Sequence, residues 1–372
     1  MPMLIDAPPG LEGIVAAETA IGDVRGDEGY FHYRGHAAPA LAATRSLEWV
    51  WYLLHVGRGP DAGELRRFTA ETAALRALAV DVRAGLPAIA AAGSPMAALR
   101  TLTSLAGQQA RSWLDLDPAA RAAEALRLVA TMPTAAAGVW RSQQGLPLVE
   151  PDPARRLAED YLRMITGSVP PERHVRALER YLILTIDHGF NASTFTARVV
   201  TSTGADLPAA IVAAMAALSG PLHGGAPALV IDMLEEIGDA ARARAWAEEA
   251  LASGRRIMGF GHRVYRTEDP RSALLKQTAL ELGGPIVELA VEVERVVLDL
   301  LERRYPERRL RTNVEFYAGV VLHQIGLPAP LFTSTFAVSR TIGWTAHALE
   351  QMVGNRIIRP SSRYVGPTPE AA

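Results

Sequence analysis

The chain has 372 residues, of which 49% are hydrophobic and 21% charged, with a formal net charge of -2. That length suffices for two ordinary domains and a self-sufficient core, and the charge lacks the basic excess that a phosphate backbone selects, which excludes nucleic acid as the expected partner. With no cysteine at all, disulfides, thiolate zinc sites and cysteine nucleophiles are excluded, and a reducing, cytoplasmic setting is expected.

In chain order, the opening "MPMLIDAPPGLEG" has neither the basic n-region nor the apolar h-region of an export signal. "IGDVRGDEGYFHYRG" predicts two short strands around a turn at Asp27, Glu28 and Gly29. "DPAARAAEALRLVATM" predicts a helix with Asp117 as N-cap and Pro118 at its first position, and "DPARRLAEDYLRMITG" predicts the same device at Asp152 and Pro153 with a stop at Gly167. "VPPERHVRALERYLILTI" places Val175, Leu178, Leu182 and Ile183 on one helical face. The longest apolar stretch, "LPAAIVAAMAAL", falls short of the ~20 residues a membrane span needs. "VELAVEVERVVLDLLERRY" reads as a helix with Glu294, Arg295, Glu302 and Arg303 on a charged face. Too few β-branched, turn-bounded runs remain for a sheet, so the expected class is all-α with a small N-terminal β element. Glycine and proline cluster at 218–230, 255–272 and 325–332. The first and last clusters bracket a candidate inserted subdomain, with a cleft beside it suited to a ligand.

Three of the nine histidines stand in glycine-rich company: His188 in "TIDHGFNASTF", His223 in "GPLHGGAP" and His262 in "GFGHRVY". Glycine beside a histidine lets backbone and ligand approach and presents the imidazole. The other six, His32, His36, His55, His174, His323 and His347, read as core or capping residues. No HExxH spacing occurs, and the one HxxxH pair, His32 and His36, falls at the end of the predicted strand stretch and not on a helix, so no metal site is expected; "GFGHRV" lacks the third glycine and preceding strand of a dinucleotide fingerprint. Basic residues are almost all arginine. Lys276 is the single lysine and hence the one Schiff-base candidate. Arg263, Arg266, Arg271, Arg340, Arg359 and Arg363 lie in or beside Gly/Pro-rich segments and suit a substrate with several carboxylates or phosphates. Finally, "RTNVEFYAGVV" holds a lone carboxylate, Glu315, in a run that otherwise favours burial. A semi-buried carboxylate, hydrogen-bonding histidines and anion-binding arginines together form the kit for abstracting a proton next to a carbonyl.

"DHGFNASTFTARV", "GPLHGGA", "MGFGHRVYRTEDPR" and "NVEFYAG" resemble signature segments of the citrate synthase family. The likeness continues through "GLEGIVAAETAI", "YRGH", "EPDPARRLAEDYL", "RTIGWTAHALEQ" and "RIIRPSSRYVGP", and so covers essentially the whole chain. The resemblance implies an all-α homodimer whose large domain, residues 1–224 and 327–372, carries a small helical domain, 225–326, that closes over the substrates. It implies condensation of acetyl-CoA with oxaloacetate and hydrolysis to citrate and CoA, with no metal or redox cofactor and the coenzyme A thioester as substrate. Propionyl-CoA, as in 2-methylcitrate synthase, and a catalytically weak relative that binds CoA or dicarboxylate as a sensor are the alternatives. By motif, His223 matches the hydrogen-bond donor to the enolate oxygen, His262 the group that polarises the ketone, and Glu315 the catalytic base. His188, Arg271 and Arg340 match oxaloacetate-binding positions, and Arg359 the arginine that reaches the partner's site. Arg256 and the stretch Met258, Gly259, Phe260 and Gly261 match the CoA-cradling region. Three departures stand out: Glu315 replaces an aspartate, Pro227 stands where asparagine is usual, and Thr185 where many members carry a second histidine.

Overall fold

The computed structural model describes residues 5–367 apart from 225, 262–264 and 266. Sixteen α-helices and one three-stranded antiparallel sheet make up the regular structure among the described residues. The strands are β1 (Gly22–Arg25), β2 (Tyr30–Tyr33) and β3 (His36–Ala37), and β1 pairs β2 about the expected turn. The helices are α1 (Ala38–Thr44), α2 (Leu47–Val56), α3 (Ala62–Ala74), α4 (Val80–Ala91), α5 (Pro95–Ala106), α6 (Pro118–Gln143), α7 (Leu157–Thr166) and α8 (Glu172–Thr185). After them come α9 (Ala192–Ser202), α10 (Leu207–Leu218), α11 (Ala226–Ile237), α12 (Ala243–Ala252), α13 (Pro270–Leu282), α14 (Pro285–Arg304), α15 (Val314–Gln324) and α16 (Phe332–Met352). The all-α class with an N-terminal β element is therefore as expected.

Local chemistry sets many of the boundaries. Asp117 caps α6, its Oδ1 accepting the Ala120 N–H at 2.8 Å, and Gly167 ends α7 at φ 79°. The start of α7 departs from expectation. Asp152 and Pro153 form a turn instead, and the helix begins at Leu157, whose N–H donates to Glu48 Oε1 of α2 at 2.8 Å. A carboxylate brought in by the tertiary fold takes over the capping that the nearby Asp152 would supply. The face of α14 also differs, because Glu294 is only 6% exposed.

Helix α16 runs through the core, with Trp344 and Phe332 fully buried, and packs on α6, α8 and α9. Gly343 permits this: a Cβ there would sit 2.2 Å from the Ile186 carbonyl oxygen. The helices from α11 to α15 pack largely on one another, α13 and α11 on α15 and α12 on α14, while α13 also touches α1 and α8. Pro227 lies in the first turn of α11, where its missing N–H costs the helix nothing.

Candidate active site

The segment between α8 and α9 is anchored from beneath. Asp187, 1% exposed, accepts from His347 Nε2 at 3.1 Å and from the Gly189 N–H at 3.2 Å. Arg198 Nη1 lies 3.2 Å from His347 Nδ1, and a guanidinium only donates, so Nδ1 accepts and Nε2 carries the hydrogen toward Asp187. Burial pushes the Asp187 carboxyl up, yet His347, Arg340 and the Gly189 amide hold it below its ordinary value. Tyr33 of β2 donates to the carbonyls of Ile183 at 2.9 Å and Asp187 at 3.1 Å. His188, next in the chain, thus stands between the Phe31 ring, 5.6 Å away, and the Tyr265 hydroxyl, 2.9 Å from its Nε2.

His223, in the turn before α11, meets α9. Its Nε2 lies 2.9 Å from Ser193 Oγ, and that hydroxyl also receives Trp344 Nε1 at 3.2 Å and reaches Asn191 Oδ1 at 2.8 Å. Asn191 is at the same time the N-cap of α9. Burial, reinforced by the Arg340 charge, lowers the His223 pKa to about 4, so the imidazole is neutral at pH 7. Arg340 itself is 2% exposed and donates from Nε to the Thr185 carbonyl at 2.7 Å. Thr185 also bonds Ser339 Oγ at 3.1 Å, which makes it a support for the Arg340 turn of α16.

On the other side, Asp269 caps α13 and grips Arg271, accepting Nε at 3.0 Å and Nη2 at 2.8 Å, with both side chains at most 5% exposed. The same carboxylate accepts the Val314 N–H at 3.1 Å, which joins α13 to the start of α15. Removing one partner of so buried a pair costs about 3–5 kcal/mol. Glu315 occupies the first turn of α15, behind the N-cap Asn313. It is partly buried, and desolvation raises its pKa to about 7 against the opposing pull of Arg271 and Arg256; Asp269 adds to the rise. The stretch carrying Gly259, Phe260 and Gly261 is bound to this turn. Asn313 N–H donates to the Gly259 carbonyl at 2.9 Å, Gly261 N–H to the Arg311 carbonyl at 2.8 Å, and Asn313 Nδ2 to the Gly261 carbonyl at 2.9 Å. Gly259, at φ +85°, is required because a Cβ would lie 2.7 Å from Phe316. Met258 and Phe260 pack against the core, and Arg256 is exposed. Beside Tyr265 and Thr267 opens a polar cavity of about 310 Å³ edged by Arg308, Arg309 and Arg311.

Electrostatic links run from His223 to Arg340, from Arg340 to Arg271, and from Arg271 and Arg256 to Glu315. His188 joins through Tyr265, whose ring lies 5.8 Å from the Arg271 guanidinium, and the 258–261 stretch is tied to the Glu315 turn. His262, with Arg263 and Arg266, lies outside the described residues. Arg359 is exposed on the segment after α16. Lys276 is paired with Glu294 at 2.6 Å. Among the described residues, no three His, Asp or Glu side chains gather into a metal-binding group. Asp269, Asn191, Ser193 and Tyr265 lie outside the residues the sequence singles out, while His347, expected as a core or capping residue, is fully buried. Asp269 was open to detection, since "EDPR" repeats the Asp-Pro helix start seen at Asp117; His347 carried no local signal.

A mainly helical protein here gathers a raised carboxyl, a neutral imidazole and buried guanidiniums, the kinds of group on which enolisation beside a carboxylate-bearing partner draws. The chain belongs to the citrate synthase family: residues 10–361 match the family model described as "Citrate synthase, C-terminal domain". A putative citrate synthase 2 of Mycobacterium tuberculosis is 40% identical over 98% of this chain and 94% of its own. A 2-methylcitrate synthase of the same species is 39% identical over 97% and 91%. Among solved structures, citrate synthase of Thermoplasma acidophilum in ternary complex with carboxymethyl coenzyme A and oxaloacetate superposes with a TM-score of 0.90 at 29% identity, covering 98% of this chain and 97% of that one.

Proposed function

We propose that the protein is a cytoplasmic, homodimeric citrate synthase that joins the methyl carbon of acetyl-CoA to the ketone carbon of oxaloacetate, then hydrolyses the thioester to citrate and free CoA. Glu315 takes the methyl proton, and the carbonyl oxygen of the resulting enolate accepts a hydrogen bond from neutral His223. His262 polarises the oxaloacetate ketone and protonates the alkoxide as the carbon–carbon bond forms. His188, Arg271 and Arg340 hold the oxaloacetate carboxylates, and Arg359 completes that set in the other copy of the dimer. Exposed apolar side chains near both ends, Val15 at 84%, Tyr364 at 71% and Val365 at 89%, favour an embrace of a second copy. The thioester is cradled by Arg256 and Met258 to Gly261, with Arg308, Arg309 and Arg311 facing its phosphates. No metal or redox cofactor takes part. Residues 225–326 form the small domain that closes over both substrates.

The observation that carries this reading is Glu315, a carboxyl raised to about 7 and flanked by arginines at the first turn of α15. A base poised near the working pH balances availability against proton-accepting strength. Its identity to a 2-methylcitrate synthase supports propionyl-CoA as a second substrate, since one methylene in a pocket discriminates by only ~1–3 kcal/mol. Free thiol released from acetyl-CoA and from propionyl-CoA, each with and without oxaloacetate, tests both readings. Oxaloacetate-dependent thiol from acetyl-CoA is expected; a larger kcat/KM for propionyl-CoA would reassign the substrate. No thiol from either would leave a binding protein in place of an enzyme.

A further inference from the structure

We propose that Glu294 is the positioning residue for Glu315, acting through a three-way hydrogen-bonded clamp that fixes the first turn of α15. The inference rests on the reading of Glu315 as the base. Glu294 projects from α14 and accepts three short bonds from three other segments. Thr312 Oγ1 donates to its Oε1 at 2.7 Å, while Tyr317 OH at 2.7 Å and Lys276 Nζ at 2.6 Å donate to its Oε2. Thr312 lies three residues before Glu315 and Tyr317 two after it, so one carboxylate grips both sides of the base.

The third donor gives the clamp its charge balance. Lys276, the single lysine of the chain, stands on α13, the helix that opens with Arg271. Its ammonium also lies over the Tyr317 ring, 5.8 Å from the centroid. Burial and the bond to Glu294 raise the Tyr317 hydroxyl above its ordinary pKa, which keeps it a donor at any working pH. Tyr317 is fully buried, so the turn has no slack on that side. An ionic network around a buried carboxylate, here with Lys276 partly exposed, is weak evidence for stability but can fix one arrangement. The requirement is severe here because Glu315 carries one more rotatable bond than an aspartate at that position would, and a displacement near 1 Å can cost on the order of 100-fold in rate.

Among the described residues, Arg271, Arg256 and Asp269 act on the Glu315 carboxyl and Tyr181 senses it, and none of these four belongs to the clamp. Loosening the clamp should therefore admit water to Glu315 and change its titration without altering those neighbours. Tyr317→Phe removes one hydroxyl with little change of volume; Glu294→Gln removes the charge. For Tyr317→Phe the expected results are a kcat at least tenfold lower, an unchanged oxaloacetate Kd by calorimetry, and a Glu315 titration midpoint displaced toward an ordinary glutamate. The midpoint is read in the free protein by carbon-13 NMR of carboxyl-labelled glutamate, with the signal assigned by its loss in Glu315→Gln. Glu294→Gln should show larger changes of the same kind, and Tyr317→Phe carries the test if that variant fails to fold. Wild-type kcat and midpoint in Tyr317→Phe would overturn the proposal, as would a fall in oxaloacetate affinity proportional to the fall in kcat. Because the midpoint needs no turnover, an inactive wild-type protein would overturn the proposed function while the positioning test stayed readable.

Discussion

On the α8, α9 and α16 side of the cluster, Asp187, Ser193, Arg340 and His347 are each at most 2% exposed. Through His347 and Asp187, hydrogen bonds run unbroken from Arg198 to the segment that holds His188. The α13 and α15 side is built differently, with Glu315 only partly buried, Arg256 exposed, and the turn that carries Glu315 held by Asn313, Asp269 and the bonds to Glu294. A preformed set of donors suits a rigid dicarboxylate, whose charges need fixed partners before anything reacts. A raised carboxyl on a turn held from outside suits a base that must be poised and not merely paired, since a direct ion pair would pull its pKa down.

Substitutions can break this contrast. The largest effect is expected for Glu315→Gln, with kcat falling by about 1,000-fold, the scale of a lost general base, while calorimetry still records oxaloacetate binding. Glu315→Asp should follow with a loss of about 100-fold, because the α15 turn is set for the longer side chain; an unchanged kcat would show that the turn tolerates either. Arg359→Ala should weaken oxaloacetate binding by about tenfold, or ~1.4 kcal/mol, without changing the sedimentation of the protein. His347→Gln should raise the oxaloacetate KM by only about threefold, since Tyr33 and the Gly189 amide still tie the same segment. If His347→Gln instead outweighs Glu315→Asp, the assignment of rigidity to one side and poise to the other is wrong.

Much of the scaffold could be read in advance because its signals are local. Asp117 followed by Pro118, the stop at Gly167 and the turn at Asp27 to Gly29 all act within a few residues. The start of α7 could not be read that way, since its cap comes from Glu48, which lies 109 residues earlier in the chain. Glu294 misled for a related reason. Helical spacing places it with Arg295 and Glu302, but its three donors come from α13, Thr312 and α15, and only the packed structure assembles them. For the site, the motif segments pointed to His188, His223, Arg271, Arg340 and Glu315, which the fold gathers. The supports beneath them, Ser193 and His347 among them, gain their roles from contacts between distant segments.

The poised base is tested most directly by kcat/KM for acetyl-CoA from pH 5 to 9 at saturating oxaloacetate. If Glu315 is the base proposed above, it must be ionised to take the proton, and activity should rise with pH on an acid limb whose midpoint lies near 7. The sign for stability is opposite. The folded pKa lies above that of the unfolded chain, so this group's contribution to stability is fully present below the ordinary glutamate range and is lost as pH climbs toward 7. An acid limb near 7 that disappears from the residual activity of Glu315→Gln is the predicted result. A profile flat down to pH 5, or a limb that persists unchanged in that variant, would contradict it.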